Sequence, residues 1–279
     1  MTERLAEITR RIGNVRQLEA VVTAMRGIAA SRAQQCRARL PGVRAYAAVI
    51  AGAIARALPL PAPHPRDGTG TARHAGVILF VAEQGFAGAF SDRMLDAAAP
   101  LLPGASLFLI GTRGRLLAEE RRLPLAWQSG MAPHVDLVPA VAGRIAEALY
   151  ERIATAGIDR VTMVFPAWSA ETGLTAATRV LLPFDFHRFS GPPTAQPPLT
   201  TLPPGVLLAR LAEEYVFAEL CEAAMSAFAA ENEARVAAMI AAKGNIERVR
   251  AGLEARERQT RQEEITAEVA ELAGAMATA

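Results

Sequence analysis

Apolar side chains recur at steps of three and four along the C-terminal part of the chain, where no proline follows Pro204. This spacing places them on one side of an α-helix, as a coiled-coil heptad requires. The positions of this seam are Met225, Phe228, Asn232, Arg235, Met239, Ala242, Ile246, Val249 and Leu253. A helix over 204–279 would be roughly 110 Å long at about 1.5 Å per residue. The pattern therefore predicts a long helix that pairs with a second helix.

The N-terminal segment supplies the second helix. Its seam positions are Leu5, Ile8, Ile12, Val15, Glu19, Val22, Met25 and Ala29. Residues 1–58 hold ten arginines against three glutamates, whereas residues 207–279 hold eight basic against thirteen acidic residues. We expect this charge difference to favour pairing of the two ends, although two ordinary solvated helices with accidental charge bias are the alternative. Pro41 removes a helical hydrogen bond, so a kink or a fresh start of the helix is expected there.

The heptad pattern ends at Leu253. The stretch from Glu254 to Glu264 contains no large apolar residue, and the next stripe starts in a different phase. That stripe consists of Ile265, Val269, Leu272 and Met276. A helix that is polar all round needs support from neighbours, so we expect the distal end to be ordered mainly inside a larger assembly.

The middle of the chain alternates strand-like and helix-like patterns between two proline-rich segments. The predicted strands are 75–82, 106–110, 160–165 and 175–182, and the predicted helices are 91–102, 113–122 and 138–156. Such alternation predicts a mainly parallel sheet. The predicted fold class is therefore α/β, a long antiparallel coiled coil of the N- and C-terminal helices with an inserted Rossmann-like α/β domain. Its parts are 1–58, 71–189 and 204–279.

One glycine motif follows the first predicted strand, at Gly85-Phe86-Ala87-Gly88. Glycines at a strand-to-helix turn can admit a phosphate, but the dinucleotide fingerprint requires G-x-G-x-x-G. No phosphate loop is present either, since the only lysine is Lys243. A nucleotide site and a tight turn that allows close packing are the two interpretations.

Three sequence blocks resemble the γ subunit of F-type ATP synthases. Arg10-Arg11-Ile12 with Val15, followed by Thr23-Ala24-Met25-Arg26 and Ala29-Ala30-Ser31-Arg32, is similar to the family's R-R-I-x-x-V…T-K-A-M-K…A-A-x-K. The turn 85–88 stands where the family has Gly-Leu-Cys-Gly. The C-terminal block consists of two segments. Ala230–Met239 is similar to the family's S-E-N-x-A-R-M-x-A-M, and Arg261–Leu272 is similar to R-Q-x-x-I-T-x-E-I-x-E-I. Departures are arginine for lysine at 26 and 32, Thr23 at a lysine site, Ala87 for cysteine, Glu83-Gln84 for Asp-Arg, and Ser91 for asparagine.

The resemblance implies a non-catalytic central rotor shaft that couples ion translocation through a membrane sector to ATP synthesis or hydrolysis in α3β3. It implies the α, β and ε subunits and the c-ring as partners, and a peripheral location on the cytoplasmic face of the bacterial inner membrane. By match to the family, the residues that contact β would be Met25, Arg26, Arg32, Arg235, Gln262 and Thr266. Met25 is equally a seam position, and Gly85 and Gly88 would support the domain fold or a contact with ε.

Composition excludes several other functions. The net charge of +2 gives no strong attraction to nucleic acid, and the four histidines and two cysteines form no metal-binding motif. We therefore expect no cofactor and no metal, free thiols at Cys36 and Cys221, and no signal peptide or membrane-spanning segment. The rival hypotheses are a non-rotary coiled-coil adapter or chaperone, and a small α/β enzyme that binds a nucleotide at 85–88.

Overall fold

A computed structural model describes residues 2–60, 74–169, 171–189 and 198–277. Its α-helices are α1 (Thr2–Ala57), α2 (Phe90–Ala98), α3 (Thr112–Glu120), α4 (Val138–Ala156) and α5 (Pro204–Ala277). Its strands are β1 (Ala75–Phe80), β2 (Ser106–Ile110), β3 (Leu125–Ser129), β4 (Arg160–Ser169) and β5 (Gly173–Leu182). Two compact units result, a two-helix unit of Met1–Ala29 with Arg235–Ala279 and an α/β unit of Ala30–Ala234. The predicted layout, long terminal helices with an α/β region between them in sequence, is confirmed.

The α/β unit is built on one five-stranded sheet with the order β3-β2-β1-β4-β5. β1 pairs in parallel with β2 and β4, and β2 pairs in parallel with β3, so the prediction of a mainly parallel sheet is confirmed. β5 joins β4 as an antiparallel hairpin. The sequence reading missed β3, and it ended β4 four residues early. Pro166 lies beyond the end of the β1 pairing at Val164, so its missing N–H removes no hydrogen bond to β1.

Alternate residues of the central strands enter two separate hydrophobic clusters. Ile78 and Phe80 lie in the cluster that contains α4 and the α5 residues from Val216 to Phe228. Val77 and Leu79 lie in the cluster that contains α2 and α3. These four side chains are at most 2% exposed. The sheet is therefore covered on both faces, as expected for a doubly wound α/β fold.

Within the α/β unit, α1 contributes residues 30–57 and is continuous through Pro41. A fresh start of the helix after Pro41 is therefore wrong. The predicted attraction between basic and acidic helices is seen in the ion pairs Arg44–Glu222, at 2.9 Å between Nε and Oε1, and Arg37–Glu233. Tyr46 also donates a 2.6 Å hydrogen bond from its hydroxyl to Glu214 Oε2.

The two-helix unit has an antiparallel seam. Val22, Met239 and Ile246 are buried together. Arg250 Nη1 pairs with Glu19 Oε2 at 2.5 Å, and Thr9 Oγ1 donates to Glu257 Oε1 at 3.2 Å. Residues later in α5 therefore contact residues earlier in α1, as antiparallel helices require. Val249, which the heptad pattern placed on the seam, is 54% exposed. That assignment is wrong because an α-helix turns once per 3.6 residues and drifts away from a strict seven-residue repeat.

Candidate functional site

An exposed apolar stripe runs along α1 in the two-helix unit. Leu18, Val21 and Ile28 are each more than half exposed, and their spacing puts them on one helix face with Met25. Met25 is half-buried and packs against the seam cluster of Val22 and Met239. The seam interpretation of Met25 is therefore supported, and its contact with β stays a prediction.

Arg26 and Arg32 are half-buried side chains on the same helix. Neither guanidinium makes an ion pair with any residue in the described part of the chain. An arginine without an internal partner keeps its donors available for an acidic group on another molecule. The partner contact that the sequence resemblance implies for these two residues stays a prediction.

Gln262 and Thr266 lie together, whereas Arg235 lies far from them. Gln262 and Thr266 are exposed one helical turn apart and line the same shallow groove on α5 with Gln259, Glu263 and Ala267. Arg235 is buried and stands 27 positions earlier on this helix, which is roughly 40 Å at about 1.5 Å per residue. One loop of a partner cannot therefore contact all three residues.

The distal part of α5 carries a second exposed stripe. Ile265, Val269, Leu272 and Met276 are each more than half exposed. The helix continues to Ala277, while the contacts of α1 with α5 reach Glu263, which lines a cleft with Arg4. No described residue of the chain covers this stripe. Exposed apolar side chains in a row of this kind mark a surface that meets another molecule.

The glycine turn at 85–88 follows β1 and has a left-handed backbone at two positions. Gly88 has φ +61°, which glycine adopts without steric cost, and Phe86 has φ +63° although it is not glycine. Such a conformation costs a large residue on the order of 1 kcal/mol. The Phe86 side chain is 67% exposed, so the turn presents it outward rather than using it in the core.

Two glutamates hold the backbone around this turn. Glu231 of α5 is 5% exposed, and its carboxylate accepts hydrogen bonds from Glu83 N at 3.0 Å and Gln84 N at 2.9 Å. The Glu83 carboxylate accepts from Thr112 N at 2.9 Å, from Thr112 Oγ1 at 3.0 Å and from Met131 N at 2.8 Å. The ends of β1, β2 and β3 are thus tied to each other and to α5 by carboxylates.

This arrangement depends on a close approach of β1 and β2. Gly111 has φ +126°, and a Cβ atom there would lie 2.3 Å from the carbonyl oxygen of Val81. Only glycine fits at that position, and it lets Thr112 reach Glu83. Sequence reasoning singled out neither Glu83 nor Glu231 as a ligand of the turn, because the two residues are far apart in the chain and their bonds leave no local pattern.

The glutamates also bear on the nucleotide hypothesis. A phosphate bound at a strand-to-helix turn is held by backbone N–H groups of that turn. Here the N–H groups of Glu83 and Gln84 already serve a carboxylate. A phosphate that used these two N–H groups would have to displace Glu231 and lie beside its negative charge. The geometry therefore favours the tight-turn interpretation.

Other candidate chemistry gives no site among the described residues. They contain no group of three or more metal-ligating side chains, and none of their helices is long and apolar enough to cross a membrane. Cys36 and Cys221 are free and buried. Burial raises the pKa of the Cys36 thiol to about 11 and that of Cys221 to about 12, so both are protonated at neutral pH.

Comparison with known proteins identifies the family. The family model described as ATP synthase matches residues 4–278. The ATP synthase gamma chain of Parafrankia sp. (strain EAN1pec) is 28% identical over 98% of this chain and 97% of its own length. That of Anaeromyxobacter sp. (strain K) is 25% identical over 97% of each chain. The chain belongs to the ATP synthase gamma family.

Solved structures support the same fold. The chain matches a chain from the Euglena gracilis mitochondrial ATP synthase, OSCP/F1/c-ring, in rotational state 3 with a TM-score of 0.71. The match covers 100% of this chain and 95% of that chain at 14% identity. A chain from the Tetrahymena thermophila mitochondrial ATP synthase central stalk matches 80% of this chain with a TM-score of 0.59. At these identities the likeness concerns the fold alone.

Membership of the gamma family gives a physical meaning to one of the departures in sequence. The turn has Ala87 where the family pattern has cysteine. Ala87 is buried in the cluster that contains Phe90 and Met94. A small apolar side chain fills this place, and free cysteine is itself a small hydrophobe, so the exchange preserves the packing of this gamma-family turn.

Proposed function

We propose that this chain is the central rotor shaft of an F-type ATP synthase. It couples ion translocation through the membrane sector to ATP synthesis or hydrolysis in α3β3 and has no catalytic site of its own. The observation that carries the proposal is the family match over residues 4–278 together with the antiparallel two-helix unit. No finding favours the adapter or chaperone hypothesis.

The exposed surfaces of the two-helix unit support a shaft that touches surrounding subunits. The α1 stripe of Leu18, Val21 and Ile28 and the distal stripe of α5 are apolar and exposed. A rotor can shift its partners between states only if its contacts differ from state to state. Apolar stripes on separate parts of the unit provide such unequal contacts with three equivalent β subunits.

The proposed contacts with β are assigned residue by residue. Met25 and Arg26 would act on the α1 side of the shaft, and Arg32 would act farther along that helix. Gln262 and Thr266 would hydrogen-bond one β loop, since they lie together. Arg235 would serve a different contact, because roughly 40 Å of helix separates it from that pair.

The remaining partners and the location follow from the same role. We propose that the α/β unit contacts ε and the c-ring, with the turn at Gly85 and Gly88 supporting the fold or the contact with ε. The chain would then sit at the cytoplasmic face of the bacterial inner membrane and be held there by its partner subunits. These assignments rest on family membership.

The test is co-expression of the full chain with the α and β subunits of its source, followed by sizing and an ATPase assay. We expect a stable α3β3γ complex. Because the Gln262→Ala/Thr266→Ala double variant loses two neutral hydrogen bonds, worth about 1 to 3 kcal/mol together, hydrolysis should fall by about 5- to 150-fold. The Gln128→Ala/Thr178→Ala double variant, with exposed residues of the same types in the α/β unit, is the control. A chain that elutes alone and leaves hydrolysis unchanged would exclude the rotor role.

A further inference from the structure

The anion site at the first strand–helix turn is filled by the chain itself. Two successive backbone N–H groups, those of Glu83 and Gln84, point at one carboxylate, and each donates to a different oxygen of Glu231. Paired N–H groups that converge after a strand form the kind of concavity that binds an oxyanion in other α/β proteins. The carboxylate arrives from α5, which is far from the turn in sequence.

A carboxylate bound in this way is a strong and directional ligand. Hydrogen bonds from N–H groups to an ionised acceptor are roughly twice as strong as neutral ones. Glu231 is 5% exposed, so water screens these bonds little. The bond to the adjacent N–H groups also fixes where α5 lies along the edge of the sheet, since a shift by one residue would bring Glu231 out of reach of both donors.

The Glu83 side chain extends the same connection to the rest of the sheet. Its backbone N–H binds Glu231, while its carboxylate binds the N–H groups of Thr112 and Met131, which follow β2 and β3. Position 83 therefore links three strand ends to α5 in one chain of hydrogen bonds. Any displacement of α5 along its axis is opposed by the edge of the sheet rather than by apolar packing alone.

We propose that Glu231 is a positioning residue that acts as a built-in anion. Its carboxylate occupies the oxyanion site of the β1–α2 turn and so fixes the axial position of α5 on the sheet. Without this carboxylate, the site accepts a small free carboxylate from solution, such as formate or acetate. The inference goes beyond the proposed rotor function and holds whether or not the chain turns inside an assembly.

The test is chemical rescue of the full-length Glu231→Ala variant. Because two charge-assisted hydrogen bonds are lost, the midpoint of thermal unfolding should fall by about 6 to 12 °C. Sodium formate should restore at least half of that loss relative to sodium chloride at the same ionic strength. The wild type and Glu213→Ala, which removes a surface glutamate paired with Arg210, should respond equally to both salts. Amide hydrogen exchange at Glu83 and Gln84 should quicken at least about tenfold in Glu231→Ala and slow again with formate.

The inference is overturned if Glu231→Ala leaves both unfolding and exchange unchanged. It is equally overturned if stability is lost and neither formate nor acetate restores it, because Glu231 would then act only as a packed side chain. Glu231→Gln provides a second test that disturbs packing little. Its single carbonyl oxygen should protect the two amides less than the carboxylate does, and wild-type protection of both would contradict the role of the charge.

Discussion

The α/β unit and the two-helix unit differ in how far they bury their apolar side chains. The sheet of the α/β unit is covered on both faces, and its central strand residues are almost fully buried. Among the described residues of the two-helix unit, the buried cluster consists of Val22, Met239 and Ile246, while two apolar stripes stay exposed. The first unit completes its own core, whereas the second contains more apolar surface than its single seam can bury.

This difference separates structural from functional positions. In the α/β unit the buried apolar residues pack against the sheet, and the buried carboxylate of Glu231 is balanced inside the unit. In the two-helix unit a large exposed apolar residue has no structural use within the described chain and is a candidate for partner contact. Substitutions should therefore lower stability in one unit and weaken assembly in the other.

The largest loss of stability is expected at Phe108 in β2. Its ring is fully buried and lies 6.3 Å from that of Trp127. Phe108→Ala removes that ring from the core and leaves a cavity, so the free energy of unfolding should fall by about 3 to 5 kcal/mol. The same substitution at Phe86, which is 67% exposed, should change it by less than about 1 kcal/mol. Denaturant unfolding of both variants measures the difference between their free energies of unfolding. Equal losses in the two variants would contradict the assignment of Phe108 to the core and Phe86 to the surface.

A slightly smaller loss is expected from Arg179→Met in β5. Arg179 Nη1 binds Glu219 Oε2 at 2.5 Å and Glu222 Oε2 at 3.0 Å, and the Glu219 side chain is only 6% exposed. Removing the guanidinium takes the ion-pair partner from the buried Glu219 carboxylate and leaves it beside Glu222, which keeps Arg44, so the change should cost about 3 kcal/mol of unfolding free energy at neutral pH. Arg210→Met, at an exposed pair with Glu213, should cost less than about 0.5 kcal/mol.

The difference in unfolding free energy between the wild type and Arg179→Met should depend on pH with a definite sign. Burial alone would raise the pKa of Glu222, but hydrogen bonds from Arg179 and Arg44 outweigh it and lower that pKa. A carboxyl whose pKa is lowered by folding stabilises the protein at pH values above its pKa in the unfolded chain. This stabilisation is lost as the pH falls through its lower pKa in the folded protein. The gap in unfolding free energy between wild type and Arg179→Met should therefore be full at neutral pH and narrow below roughly pH 4. A gap that widens in acid would contradict the assigned ion pair.

The sequence predicted what local periodicity encodes. The heptad positions around Val22 and Met239 and the apolar run of β1 were placed correctly, because each depends on spacing within a few residues. β3 was missed because Leu125–Ser129 is short, half-exposed and contains no β-branched residue. Val249 was misplaced because the helix drifts from a strict heptad.

The candidate site was harder to predict for a different reason. Met25, Gln262 and Thr266 came from a family pattern, and their contact with β stays a proposal. The hydrogen bonds of Glu231 join residues 147 and 148 positions apart, and no spacing rule connects them. The distance between Arg235 and Gln262 was predictable, because 27 positions of the predicted helix over 204–279 span roughly 40 Å.

The smallest effect on stability, with the greatest contrast in assembly, is expected at the distal stripe of α5. Val269 and Leu272 are exposed, and glutamine is a good helix former, so Val269→Gln/Leu272→Gln should change the unfolding free energy of the isolated chain by less than about 0.5 kcal/mol. If α3β3 covers the stripe, each of the two apolar side chains contributes about 1.5 to 3 kcal/mol to the complex, so its affinity should fall at least about a hundredfold. The control is Glu268→Gln/Glu271→Gln in the same segment. Sizing with α and β measures the difference, and wild-type assembly of the Val269/Leu272 variant would show that the distal stripe is not the contact.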